Sequence, residues 1–221
     1  MTRSPLRLGV LFSGGGRTLE NLHERILDGT LPARIGVAIS SSSQAKGVER
    51  ARSRGIACKV VEPARLGDAD VFSEEITREL DASEVDLVVL GGFLKLYRFP
   101  PRYENRIVNI HPALLPAFGG KGFYGDRVHE AVLRSGVKFS GCTVHFVTAE
   151  YDEGPIILQR IVPVRPGDTV PELAARVFRE ECIAYPEAIR LYAENRLEVA
   201  EGRVRLRIGD CASSKADSLP A

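Results

Sequence analysis

In Arg7-Leu8-Gly9-Val10-Leu11-Phe12-Ser13-Gly14-Gly15-Gly16-Arg17-Thr18 a short apolar run stops at three consecutive glycines, after which Leu19, Leu22, Ile26 and Leu27 recur at helical spacing. This predicts a strand, a glycine loop and a helix. The alternation continues outward. Ile35-Gly36-Val37-Ala38-Ile39-Ser40 predicts a second strand, 45–54 a helix ended by Gly55, 56–61 a third strand and 72–80 another helix. Asp86-Leu87-Val88-Val89-Leu90-Gly91-Gly92 is an unbroken apolar run bounded by glycines, as a parallel strand buried on both faces should be, and Arg106-Ile107-Val108-Asn109-Ile110 predicts one more. The expected class is α/β, with a doubly wound, Rossmann-like, mostly parallel sheet. Beyond Pro116 the pattern changes to a glycine-rich stretch (119–125), a helix (128–134) and two β runs (140–148 and 155–164) expected to pair as antiparallel strands around a polar turn at 149–154. A helix over 169–195, with Pro171 suited to its first turn, and a hairpin around Glu201-Gly202 complete the pattern. Residues 209–221, rich in Ser, Ala and Asp, have little to pack and are expected to fray.

Composition narrows the function. The chain has 221 residues, 44% of them hydrophobic, enough for a sizeable core in one domain. Thirty Lys and Arg against 29 Asp and Glu leave a net charge of +1, which does not support a broad nucleic-acid footprint but allows a small basic pocket. No apolar run approaches the roughly 20 residues of a membrane span, and the first strand ends at glycines rather than at a cleavage site, so a cytoplasmic protein without a membrane anchor is expected. Cys58, Cys142, Cys182 and Cys211 form no Cys-x-x-Cys pair, and His23, His111, His129 and His145 form no metal-binding pattern. Metal-free chemistry is the expectation.

Two stretches carry that chemistry. Free N–H groups and the positive end of a helix dipole suit a phosphate at Ser13-Gly14-Gly15-Gly16-Arg17-Thr18. The loop lacks the Gly-Lys-Ser/Thr ending of a P-loop, and Leu19 stands where a dinucleotide fingerprint has its third glycine, so a single phosphate and a ligand-free tight turn are the two readings. In Asn109-Ile110-His111-Pro112-Ala113-Leu114-Leu115-Pro116, strand alternation puts Asn109 and His111 on one side at the carboxyl end of a central strand. An amide donor beside an imidazole suits a developing oxyanion and a proton transfer, although a lone His is also a common structural residue. Asp152, in the polar turn, either reaches this site and raises the pKa of His111 or is an ordinary turn residue.

Ser13-Gly14-Gly15-Gly16, then Asn109 to Pro116, then Gly141-Cys142-Thr143-Val144-His145-Phe146-Val147 leading to Asp152-Glu153-Gly154-Pro155-Ile156-Ile157, taken in order, resemble the glycinamide ribonucleotide formyltransferase family. The resemblance runs from about Leu8 to Leu197. It implies the formyltransferase fold and metal-free transfer of a formyl group from 10-formyltetrahydrofolate, the co-substrate, to the amine of 5′-phosphoribosylglycinamide in purine biosynthesis. It further implies Asn109 as amide donor, His111 as general acid/base, Asp152 as the carboxylate that orients His111, and His145 as a supporting residue. Gly15, Gly16, Arg17 and Thr18 would hold the substrate phosphate and Glu181 the ribose hydroxyls. Leu94, Lys95, Leu96 and Tyr97, with Asn109, Thr148, Ala149, Glu150 and Asp152, would hold the folate. Plain structural readings stand beside these: a helix start at 94–97, a core histidine at 145 and a solvated Glu181. One domain over 1–208 is expected, with a phosphate-binding half (about 7–105) and a catalytic and folate half (about 106–208), acting on small molecules as a monomer or homodimer.

The sequence departs from the family pattern at Gly15, at Arg17-Thr18, near Ala69, where a folate-contacting arginine is missing, and over 119–126, where a glycine-rich segment containing Lys121 reads as either a mobile lid or a flexible loop. The nearest rival is a formyltetrahydrofolate hydrolase, in which water replaces the amine; it would carry a regulatory domain ahead of the glycine loop. A transferase acting on another amine, or a non-catalytic folate- or phosphate-binding module, are further alternatives. The last would not need Asn109, His111 and Asp152 together.

Overall fold

Leu8, Val10, Leu11 and Phe12 have no exposed surface, so β1 (Leu6–Phe12) is covered on both faces as its unbroken apolar run requires. The computed structural model describes residues 4–207. After β1 come α1 (Arg17–Leu27), β2 (Ala33–Ser40), α2 (Lys46–Ser53), β3 (Cys58–Val60), α3 (Pro63–Leu66), α4 (Ala69–Ala82), β4 (Leu87–Leu90) and β5 (Ile107–His111). Then follow α5 (Asp126–Ser135), β6 (Phe139–Phe146), β7 (Ile156–Pro163), α6 (Val170–Ala193) and a hairpin of β8 (Leu197–Ala200) and β9 (Arg203–Leu206). The expected fraying tail at 209–221, and Cys211 with it, lies outside the described residues.

Seven strands form one sheet in the order β3-β2-β1-β4-β5-β6-β7, parallel from β3 to β5 and antiparallel at β6 and β7. Strand alternation sorts the core onto the two faces. Val10, Phe12, Leu87 and Val89 belong to one cluster with Leu19, Leu22, Tyr185 and Ile189 from the helices. Leu11, Val88 and Ile107 belong to the other, with Phe72, Ile76 and Leu80 of α4. From β1 the chain winds outward to β2 and β3, then returns to place β4 and β5 on the other side of β1. The carboxyl ends of β1 and β4 therefore flank the point where the winding reverses, the place where open α/β sheets bind ligands.

Several boundaries differ from the sequence expectation, each for a local reason. β3 shortens to 58–60 because only Ala38, Ile39 and Ser40 of β2 pair with it. α4 starts at Ala69 rather than 72, because the Asp68 carboxylate accepts the N–H groups of Asp70 and Val71 as a cap. The single-turn α3 was not expected. α6 opens with a capping box, Thr169 and Glu172 each bonding the other's backbone or side chain, with Pro171 in the first turn. Glu201 and Gly202, at φ 52° and 71°, make the hairpin turn that the sequence indicated.

Candidate active site

The glycine loop joins β1 to α1 and is tied to its surroundings by backbone. Ser13 N–H donates to the Gly92 carbonyl at 3.0 Å, and Ser13 Oγ accepts the Leu94 N–H at 2.9 Å, holding the loop after β4 beside the loop after β1. Gly16, the residue before α1, has φ 71°, and a Cβ there would lie 2.6 Å from Gly47 Cα, so only glycine fits. No side chain caps α1, which leaves the N–H groups of its first turn facing the cleft. The Arg17 guanidinium lies 4.0 Å from the centre of the Phe178 ring, a cation held against an aromatic face.

The second part of the site is at the end of β5. Asn109 and His111 share a face, with His145 and Thr143 of β6 directly opposite them. His145 Nδ1 lies 2.8 Å from the Phe146 carbonyl, which can only accept, so that nitrogen carries a proton. Its Nε2 lies 3.2 Å from Asn109 Nδ2 and 3.7 Å from Asp152 Oδ1. Asn109 Nδ2 lies 3.4 Å from Asp152 Oδ1. His111 is buried and its Nε2 lies 2.8 Å from the Phe118 carbonyl, while Nδ1 faces Asp152 Oδ2 at 3.5 Å.

Asp152 arrives from the loop between β6 and β7 with φ 60°, a conformation that Asp tolerates better than most residues. The loop can close this tightly because Gly154 follows: a Cβ there would lie 1.7 Å from the Phe146 carbonyl oxygen. Gly120 of the glycine-rich segment donates its N–H to Asp152 Oδ2 at 3.0 Å. Burial pushes the Asp152 carboxyl up, but His145, His111 and that N–H outweigh it and hold Asp152 below the usual carboxylate range. For His111 the balance is the reverse. Burial pushes its pKa down, and Asp152 and the Phe118 carbonyl, which push it up, do not restore it. Asp152 therefore reaches the site and pushes the pKa of His111 up, the first of the two readings of that turn, but desolvation outweighs it and leaves His111 below the ordinary histidine value.

A cleft of about 380 Å³ joins both parts. Gly15, Gly16, Arg17, Thr18 and Glu181 line one end, and Leu94, Lys95, Leu96, Tyr97, Thr148, Ala149, Glu150 and Asp152 the other, with Asn109, His111 and His145 between them. The segment 94–97 is irregular, not the start of a helix. Tyr97 is buried and its hydroxyl bonds Thr77 Oγ1 at 2.9 Å, so that hydroxyl is committed to the core. Leu94 and Leu96 are exposed in the cleft wall, as suits a flat apolar ring. Glu181 keeps some surface open to the cleft but is enclosed by protein, which pushes its carboxyl up to about 7 against the pull of Arg17. One turn further along α6, the Tyr185 hydroxyl shares its proton between the Leu90 and Val108 carbonyls at 3.0 and 2.9 Å and ties the helix to β4 and β5. His129, read from the sequence only as a histidine outside any metal pattern, lines the cleft, as do Phe123 and Tyr124 of the glycine-rich segment. Their segment was legible as glycine-rich, but not its path. Among the described residues no cluster of three or more His, Cys, Asp or Glu is arranged to hold a metal, and no helix is long and apolar enough to cross a membrane.

An uncapped helix start, an Asn-His-Asp cluster and an apolar-walled cleft at the switch of an α/β sheet meet in one candidate active site. Residues 6–189 match the family described as formyl transferase, and the chain belongs to that family, in its phosphoribosylglycinamide formyltransferase branch. It is 42% identical over 193 residues to the chloroplastic phosphoribosylglycinamide formyltransferase of Vigna unguiculata, covering 86% of this chain and 62% of that protein. The Escherichia coli K12 phosphoribosylglycinamide formyltransferase is 34% identical over 198 residues, 89% of this chain and 91% of that one. Glycinamide ribonucleotide transformylase 1 of Symbiobacterium toebii superimposes with a TM-score of 0.86 at 45% identity, over 93% of this chain and 95% of that one.

Proposed function

We propose that the chain transfers the formyl group of 10-formyltetrahydrofolate to the amine of 5′-phosphoribosylglycinamide, a step of purine biosynthesis, in the cytoplasm, as a monomer or homodimer acting on dissolved small molecules. The observation that carries this reading is the meeting of Asn109, His111 and Asp152 in the same cleft as the uncapped start of α1. The phosphate sits on the N–H groups of 15–18 with Arg17 as counter-charge, and Glu181 accepts the ribose hydroxyls. Leu94, Leu96 and the backbone of 148–152 hold the folate. Asn109 donates its amide N–H to the formyl oxygen as negative charge develops there. Neutral His111 takes the proton that the attacking amine must lose, and the resulting imidazolium is stabilised by Asp152 and the Phe118 carbonyl. As the new C–N bond forms and the bond to the folate nitrogen breaks, His111 returns the proton to that nitrogen.

The deciding assay follows folate deformylation by purified protein with and without phosphoribosylglycinamide. Release of tetrahydrofolate is expected only with the amine, in step with formylated product; equal release without it would make the protein a hydrolase.

Arg17 offers a second check. If it neutralises the phosphate, Arg17→Ser should raise the KM for phosphoribosylglycinamide roughly 10-fold, the scale of one lost charged hydrogen bond, with the folate KM within about two-fold. Arg17 also pulls the Glu181 carboxyl down, so its removal should move the ionisation on which ribose binding depends upward from about 7. A KM profile across pH 6 to 9 that is the same in both proteins would remove Arg17 from the substrate site.

A further inference from the structure

The mechanism leaves one buried titratable group in the cleft without a task. His129 lies in the first turns of α5, 5% exposed, flanked in the sequence by the buried Val128, Ala131 and Val132. Its Nδ1 is sealed from solvent and has no hydrogen-bond partner. The other two imidazoles of the cleft are satisfied, His111 by the Phe118 carbonyl and His145 by the Phe146 carbonyl and Asn109. Buried polar groups in native proteins are nearly always paired, and an imidazole in the wall of a ligand cleft with no protein partner at either ring nitrogen points to a partner that arrives with the ligand.

We propose that His129 is a substrate-binding residue whose imidazole hydrogen-bonds the amide group of glycinamide. This inference rests on the proposed function and assigns a part of the substrate that no other residue takes. The phosphate goes to the glycine loop and Arg17, the ribose to Glu181, and the reacting amine to His111. Between ribose and amine the substrate carries one polar group, a secondary amide, with one N–H and one carbonyl. His129 lines the same cleft as Asn109 and His111, the residues of the amine end. Its own protonation state suits a neutral partner. Burial pushes its pKa down, His111 pushes the same way, and Asp126 alone opposes them, so the ring is neutral at pH 7. A neutral imidazole has one N–H to give and one lone pair to fill, the complement of an amide and a poor match for a phosphate.

The test compares two ligands by calorimetry without folate: phosphoribosylglycinamide, and ribose 5-phosphate, which lacks the amide. His129→Phe keeps the ring volume and removes both nitrogens. It should weaken phosphoribosylglycinamide binding about 10-fold or more while leaving ribose 5-phosphate binding within about two-fold. His129→Gln, which keeps a neutral donor and acceptor, should recover much of the difference. Parallel loss for both ligands would mean a structural role, and no loss for either would mean no contact; both overturn the proposal. Should His129→Phe not fold, the parent protein answers by nitrogen NMR: the His129 ring signals should shift with phosphoribosylglycinamide and not with ribose 5-phosphate, and identical responses overturn it. Formyl transfer by the parent protein is the control, since its absence would defeat the functional reading rather than the role of His129.

Discussion

His111→Ala is expected to lower kcat by about 10³-fold, within the range of general acid–base catalysis, while the folate KM stays within about two-fold. His111 is the group in this cluster that can both take and return a proton near neutral pH, because Asp152 is held ionised and the Asn109 amide does not titrate. The effect belongs to the chemical step. The folate end of the cleft is built from 94–97 and 148–152; of these Asp152 faces the His111 ring, at 3.5 Å, and its carboxylate is also anchored by the Gly120 N–H. Removing the ring leaves a cavity at the end of β5 and an unmet Phe118 carbonyl, so some loss of thermal stability is expected as well. Single-turnover rates with both substrates saturating isolate the chemistry. A variant that stays folded and turns over within a few-fold of the parent would show that the proton moves by another route.

The residues behind that expectation were unequally legible in the sequence. β1, β4 and their glycine loops could be read directly, because a strand buried on both faces leaves an unbroken apolar run and the glycines mark its ends. Asn109 and His111 followed from alternation and position. Their partners did not. His145 meets Asn109 only through the register of β6 against β5, and pairing register across 36 residues leaves no local trace. The neutrality of His111 depends on how deeply Phe118 and its neighbours bury the ring. That is a sum over the whole fold, whereas the sequence shows only the opposing charge of Asp152. His129 illustrates the same limit. In the sequence it is one histidine on an amphipathic helix, and what distinguishes it is an unfilled nitrogen. The short α3 and the early start of α4 were missed for a simpler reason: four residues are too few for a helical period, and the Asp68 cap lies ahead of the first apolar position.

Asp152→Asn separates charge from shape at this site. The substitution keeps the size of the side chain, and an amide oxygen can still accept the Gly120 N–H that anchors the loop, so the cleft should hold its form and both KM values should change little. What is lost is the carboxylate 3.5 Å from His111 Nδ1. In the parent that charge pushes the pKa of His111 up, partly offsetting the larger downward effect of burial. Without it burial acts less opposed, and the pKa falls further below its ordinary value. His111 must be neutral to receive the amine's proton, so the acid limb of the rate profile that reports its ionisation should move to lower pH. The limb set by the substrate amine, near pH 8 if it resembles an α-amino group, should stay in place. The plateau should nonetheless drop by roughly 10²-fold, because the same charge that raises the pKa stabilises the imidazolium formed during transfer, and a weaker base beside an uncompensated cation is slower at every pH. Slow product release would mask this in kcat, so single-turnover rates from pH 5 to 9 are the measurement. A plateau near the parent's with an unmoved acid limb would mean that Asp152 has no electrostatic hold on His111. A limb that moves to higher pH would reverse the sign of that interaction and rule out the imidazolium as the species that Asp152 supports.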